Sequence, residues 1–119
     1  MSILYLDTHA AVFLHAGRLD LFGVEAKREM EARDLLISPM VYLEFDYLYQ
    51  RKRIAFQARE MLAVLNTSFG VTICGLPFAT VADAALSVTW TNDPFDRLIV
   101  ASAIASHQTP LVTRDRTIH

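Results

Sequence analysis

The sequence predicts an α/β domain whose short parallel sheet is covered by helices on both faces. Three observations lead there. The strand-like segments, near Ile3, Leu35, Val71 and Leu111, are continuous apolar runs and not alternating ones, as in strands buried on both sides. Helical patterns separate these runs, which is how parallel strands are joined. The helix starts are marked by capping residues and prolines, at Ser38-Pro39 and Asn92-Asp93-Pro94.

The elements follow in order. Ile3 to Leu6 is a buried strand closed by Asp7. Thr8 offers an N-cap for a helix over His9 to Ala16, which Gly17 ends. Leu21 to Arg33 is charged and amphipathic, with Leu21, Val24 and Met30 facing inward. Leu35-Leu36-Ile37 is the second strand, and a helix runs from Pro39 to about Gln50. Arg51-Lys52-Arg53 is a basic turn, followed by an amphipathic helix from Ala55 to about Leu65. Val71 to Cys74 is the third strand, ended by Gly75 and Pro77. Phe78 to Leu86 is an alanine-rich helix, and a last helix runs from Pro94 to about Ser106. Pro110 to Thr113 is the fourth strand, followed by Arg114-Asp115-Arg116.

Composition narrows the function. A chain of 119 residues, 53% apolar and 20% charged, makes one globular domain spanning 1–119. Eleven basic against thirteen acidic residues leave a net charge of −2, so any polyanion must be met by a local patch. One cysteine, Cys74, excludes an internal disulfide or a cysteine-only zinc site, and reads as a small core residue. The first residues carry no basic signal sequence. The uncharged run from Leu62 to Ala82 is broken by Asn66, Gly70, Gly75 and Pro77, which argues against a membrane span. A cytoplasmic protein is the expectation.

In a parallel sheet, ligands meet the carboxyl ends of the strands. Asp7 directly follows the first strand, and Asp115 comes two residues after Thr113. Glu44 lies four residues from both Met40 and Leu48, so it shares an apolar helix stripe and points toward the domain. Asp46 is on the other side of that helix. Asp96, in a first helical turn, is followed by Ile99, Val100 and Ala103 on one face. Each acid also has an ordinary structural reading. Asp7 and Asp93 can cap helices, Asp96 can answer a helix dipole, Glu44 can pair with an arginine, and Asp115 can sit in a turn salt bridge. Gathered together, carboxylates repel by about 4 kcal/mol per pair at ~4 Å and an effective dielectric near 20. A cluster therefore holds protons or a cation. Oxygen donors favour Mg²⁺ or Mn²⁺ over zinc, and such an ion acidifies water and neutralises phosphate oxygens. Hydrolysis of a phosphodiester is the chemistry that suits it.

His9, His15, His107 and His119 show no metal-ligand spacing, and His15 and His107 read as surface or capping residues. Tyr42, Tyr47 and Tyr49 read as packing residues. Arg51-Lys52-Arg53 reads first as a solvated turn, and with Arg97, Arg114 and Arg116 it is a candidate for an RNA phosphate track beside the acids. Other parallel-sheet functions fail on their motifs. Asp7-Thr8-His9-Ala10 replaces the glycine-rich loop of nucleotide binders. A phosphoaspartate transferase wants an acid where His9 stands, and a phosphorelay receiver wants an acid near Cys74-Gly75 and a late lysine, whereas the last lysine is Lys52.

At Leu4-Tyr5-Leu6-Asp7-Thr8-His9, Ile37-Ser38 through Leu43-Glu44, Asn92 through Ala101, and Leu111-Val112-Thr113-Arg114-Asp115, the sequence resembles the PIN-domain ribonucleases of the VapC toxin type. The resemblance spans nearly the whole chain in order, and Asp93 to Ala101 is its most specific piece. It implies a three-layer α/β/α fold with the Asp7 strand central. It places the family's metal-binding and catalytic acids on Asp7, Glu44, Asp96 and Asp115, with Asp93 a secondary acid and Thr113 the polar residue that orients the pocket. It implies Mg²⁺ or Mn²⁺, cleavage of RNA (tRNA or another structured RNA) to 3′-hydroxyl and 5′-phosphate ends, a homodimer, and inhibition by a cognate antitoxin. Relatives continue past the last acid into a further strand, whereas this chain stops at His119, four residues after Asp115. Either the sequence is cut short there or the C-terminal edge strand is absent. Two other readings stand beside the metal-dependent nuclease: a non-catalytic RNA- or protein-binding module, and a metal-free ribonuclease using histidines.

Overall fold

The computed structural model describes residues 2–106, 109–113 and 117–118. Among them a single five-stranded sheet has the order β3-β2-β1-β4-β5. Strands β1 (Ile3–Leu6), β2 (Asp34–Ile37), β3 (Thr72–Ile73) and β4 (Leu111–Val112) run parallel. The expected absence of an edge strand is corrected: β5 (Thr117–Ile118) pairs antiparallel to β4, with Leu111 opposite Ile118 and Val112 opposite Thr117.

The central place of β1 follows from its composition. Leu4, Tyr5 and Leu6 are each no more than 1% exposed. Successive strand residues point to opposite faces, so burial of all three means that both faces are covered. Each fully buried side chain of this kind contributes about 1.5–3 kcal/mol. The Tyr5 hydroxyl is satisfied by Ser106 Oγ at 2.7 Å, tying the strand to the far end of the last helix. Burial raises the Tyr5 pKa far above the ordinary phenol value, so this hydroxyl stays protonated.

Six α-helices connect the described strands: α1 (Thr8–His15), α2 (Val24–Ala32), α3 (Pro39–Gln50), α4 (Ala58–Phe69), α5 (Phe78–Ala85) and α6 (Pro94–Ala105). α3 packs against α1, α4 and α6, and α5 packs along α6. The cap signals set most of the starts. Ser38 Oγ accepts from Met40 N at 3.1 Å, and Asp93 Oδ1 accepts from Phe95 N at 2.8 Å. For α1 the cap is Asp7 and not Thr8: Asp7 Oδ1 accepts from Ala10 N at 2.8 Å, and Thr8 is already helical. Gly17 and Gly70 follow their helices with φ of +74° and +71°, a conformation open to glycine at no steric cost.

Two expectations about the helices change. Val24 is 71% exposed, and Phe22 and Ala26 enter the core instead. A short 3₁₀ turn at Leu19–Leu21 shifts the phase of the segment, so the inward stripe moves. The helix expected from Ala55 starts at Ala58, because the side chain of Glu60 accepts from Gln57 N at 3.3 Å and sets the boundary there. Cys74 is buried in the main core, as its setting predicts.

Candidate active site

The strand order fixes where a site can form. From β1 the chain steps to β2 and β3 on one side, then returns to place β4 on the other. The order reverses between β1 and β4, and crevices open at the carboxyl ends of strands flanking such a point. Asp7 leaves β1 there, with its N–H bonded to Val112 O at 3.0 Å. Thr113 leaves β4 beside it.

An open cleft of about 420 Å³ occupies this position. Its polar lining is Asp7, Thr8, His9, Glu44, Asp96 and Thr113, with Leu48, Ile99, Val100 and Leu111 as its apolar part and Trp90 and Thr91 also bordering it. Hollows of similar size lie along α3 and α4; chemistry and not volume distinguishes this one. Three elements deliver the acids. The β1–α1 junction carries Asp7, the middle of α3 carries Glu44, and the first turn of α6 carries Asp96.

Each acid is differently held. Asp7 is half-buried, one oxygen committed to capping α1. Glu44 Oε1 accepts a hydrogen bond from the buried hydroxyl of Thr8. That bond joins the first turn of α1 to α3 and fixes the Glu44 carboxylate. Asp96 is exposed, three residues after the cap Asp93.

All three carboxyls are pushed above their ordinary pKa. For Asp7, burial is the main cause, with Asp96 and Glu44 adding negative potential against the cap bond and His9. For Glu44, burial again leads, with Asp96 and Asp93 raising it further against the Thr8 bond and His9. For Asp96, which is only partly desolvated at the cleft wall, that desolvation and then Asp93 raise it, and His9 opposes. The acids therefore feel one another. Among the described residues none of them pairs with a lysine or arginine; the ion pairs Arg18–Asp20 and Arg33–Glu29 lie elsewhere. Oxygen donors that raise one another's pKa, with no lysine or arginine paired to them among the described residues, fit a hard divalent ion in kind. Among the described residues no three acidic, histidine or cysteine side chains come close enough to form a ready-made metal cage.

Asp115, Arg114 and Arg116, like His107 and His119, lie outside the described residues. The other basic candidates do not line the cleft. Arg51, Lys52 and Arg53 form an exposed turn, with Lys52 at a φ of +58° and the Arg51 guanidinium 4.8 Å from the Tyr47 ring centre. Arg97 turns away to α5, where it donates to Ala85 O at 3.0 Å, so it braces two helices. Tyr47 and Tyr49 are exposed, not packed. His15 is half-buried against Phe56, ring centres 5.2 Å apart, and burial lowers its pKa; it is a packing residue and not a surface one.

Three cleft residues escaped the sequence reading. Thr8 read as a cap, yet its hydroxyl serves Glu44. His9 shows no ligand spacing in the sequence, yet it lines the cleft and opposes the rise in pKa of all three acids. Trp90 has no motif around it, and its one sequence signal is a tryptophan in a loop just before a capped helix start.

Comparison with known proteins agrees with the architecture. The sequence matches the PIN-domain family over residues 4–119. It is 29% identical over 119 residues to Ribonuclease VapC22 of Mycobacterium tuberculosis (strain ATCC 25618 / H37Rv), covering 99% of this chain and 91% of that protein. In structure it resembles a chain of VapBC2 from Rickettsia felis bound to a DNA fragment from their promoter. There the TM-score is 0.65 at 18% identity, over 93% of this chain and 86% of the other. A chain of DNA-bound VapBC from Salmonella typhimurium gives a TM-score of 0.54 at 20% identity, over 95% and 86%.

Proposed function

The chain belongs to the PIN-domain family, and on that footing we propose that it is a metal-dependent endoribonuclease, the toxin of a toxin–antitoxin pair. One observation carries the reading. Asp7, Glu44 and Asp96, from three separate elements, share one cleft where the strand order reverses, and no lysine or arginine neutralises them among the described residues. The ribonuclease name of the 29%-identical relative supports RNA as substrate, with tRNA among the candidates. The two VapBC neighbours support a cognate antitoxin partner. A homodimer and a cytoplasmic location belong to the same proposal; no helix among the described residues is long and apolar enough to cross a membrane.

Asp7, Asp96 and Glu44, with Asp115, are the residues that would hold Mg²⁺ or Mn²⁺. When bound, the ion neutralises phosphate charge and acidifies water. The rest falls to the chain. Asp7, fixed by its bond to Ala10 N, keeps its carboxylate at the strand end. Thr113 borders the cleft beside it and orients the pocket. Glu44, its pKa raised by burial and oriented by Thr8, takes a proton from the attacking water. The water oxygen bonds to phosphorus while the bond to the 3′ oxygen breaks, and that oxygen takes up a proton from solvent, leaving 3′-hydroxyl and 5′-phosphate ends. Asp93 is secondary, acting through the charge it places beside Asp96 and Glu44.

The test is RNA cleavage by the purified protein in Mg²⁺ or Mn²⁺. Asp7→Asn is expected to lose about 10²-fold or more in kcat, and EDTA to abolish cleavage. An Asp7→Asn protein that cuts RNA at the wild-type rate would sink the proposal. The absence of a ready-made cage of three among the described residues favours a second reading, a non-catalytic RNA- or protein-binding module. Calorimetry separates the two: the nuclease binds Mn²⁺ in a way that needs Asp7 and Asp96, and the module does not.

A further inference from the structure

Trp90 is the sole tryptophan of the chain and is 68% exposed. It lies between α5 and α6 and borders the same cleft as Asp7, Glu44 and Asp96. Among the described residues its indole makes no hydrogen bond and no ring contact. An indole is among the largest apolar surfaces a side chain offers, and here the fold leaves it in water.

The described side chains of the cleft offer a polyanion no lysine or arginine, so beyond the ion it would hold, attraction has to come from elsewhere. RNA is a polyanion, three cleft residues are carboxylates, and no lysine or arginine lines the cleft among the described residues. Phosphate chemistry also carries no information about bases. A flat aromatic surface answers both needs, since stacking on a base is attractive whatever the phosphate charge. Phe78 and Leu86 are also exposed, but neither borders the cleft. We propose that Trp90 stacks on an unpaired base next to the cleaved phosphodiester and is the residue through which the cleft grips the RNA beside the cut. This rests on the nuclease reading above. A base within an A-form duplex keeps its face covered, so a duplex serves as the control.

The lone tryptophan makes the test direct. Asp7→Asn protein in Mg²⁺, which holds RNA without cutting it fast, is titrated with a short single-stranded oligoribonucleotide and with the same strand in a duplex. Indole emission is expected to be quenched by the single strand and not by the duplex. In the cleavage assay, Trp90→Ala is expected to raise KM about 5- to 150-fold, the loss of one base–aromatic stack. Its kcat should stay within about twofold, and Trp90→Phe should recover most of the KM. Equal melting temperatures for the three proteins exclude a folding defect. Unchanged emission together with a wild-type KM for Trp90→Ala overturns the inference while the nuclease stands, and leaves the indole to a protein partner. Equal quenching by the duplex overturns it as well. A wild-type protein that cleaves no RNA removes the nuclease reading, and this inference with it.

Discussion

Asp7 does two jobs with one carboxyl. One oxygen starts α1, and the charge sits half-buried among other acids. The second job costs stability. A carboxyl whose folded pKa lies above its unfolded value binds protons more readily when folded, so its contribution is lost as pH rises through the folded value. Asp7, Glu44 and Asp96 all have this sign. Asparagine caps a helix as well as aspartate does and carries no charge. Without divalent ions, Asp7→Asn is therefore expected to melt higher than wild type at pH 7. The gap should narrow as pH falls toward the ordinary value of 3.8. Thermal melts at several pH values in EDTA check this, and a mutant that melts lower at pH 7 contradicts it. The acids were readable because position alone exposes them: Asp7 ends an apolar run, and Glu44 and Asp96 sit in helical register with apolar neighbours. Thr8 and His9 were not, because what they do depends on α3 and α6 being brought to them.

The boundaries of α3 and α6 were readable for a local reason. Ser38-Pro39 and Asp93-Pro94 each place a cap and a fixed φ in adjacent residues, and no tertiary contact has to agree. Ser38 is 1% exposed, so its cap bond has no water to replace it. Ser38→Ala is expected to cost about 1 kcal/mol, measured by urea unfolding. Segments without such a pair were misplaced. The phase of α2 depends on the 3₁₀ turn before it, and the start of α4 depends on a glutamate reaching back to Gln57 N. Arg97 shows the same limit at a single site. Its place in the first turn of α6 suggested the acids, but the packing of α5 along α6 offered Ala85 O instead.

The arrangement of the strands is a property of the molecule that no single strand contains. The apolar runs showed that the strands are parallel and covered. The order β3-β2-β1-β4-β5 depends on which runs pair, and here the family resemblance and not the pattern put β1 in the middle. The two-residue β5 carried no periodic signal of its own. The sheet is also uneven. β1 and β2 pair over four residues, whereas β4 pairs with β1 and with β5 over two each. The cleft straddles that seam, with Asp7 on the long-paired side and Thr113 on the short-paired side. Local opening draws on the elements with fewest backbone bonds. In amide hydrogen exchange, Leu4 to Leu6 and Leu35 to Ile37 are expected to be the last to take up deuterium, with Leu111 and Val112 earlier by on the order of tenfold or more. Uniform exchange across the sheet contradicts this. One wall of the cleft would then be anchored at nearly the global unfolding free energy while the other breathes, giving an RNA strand a way in without unfolding the domain.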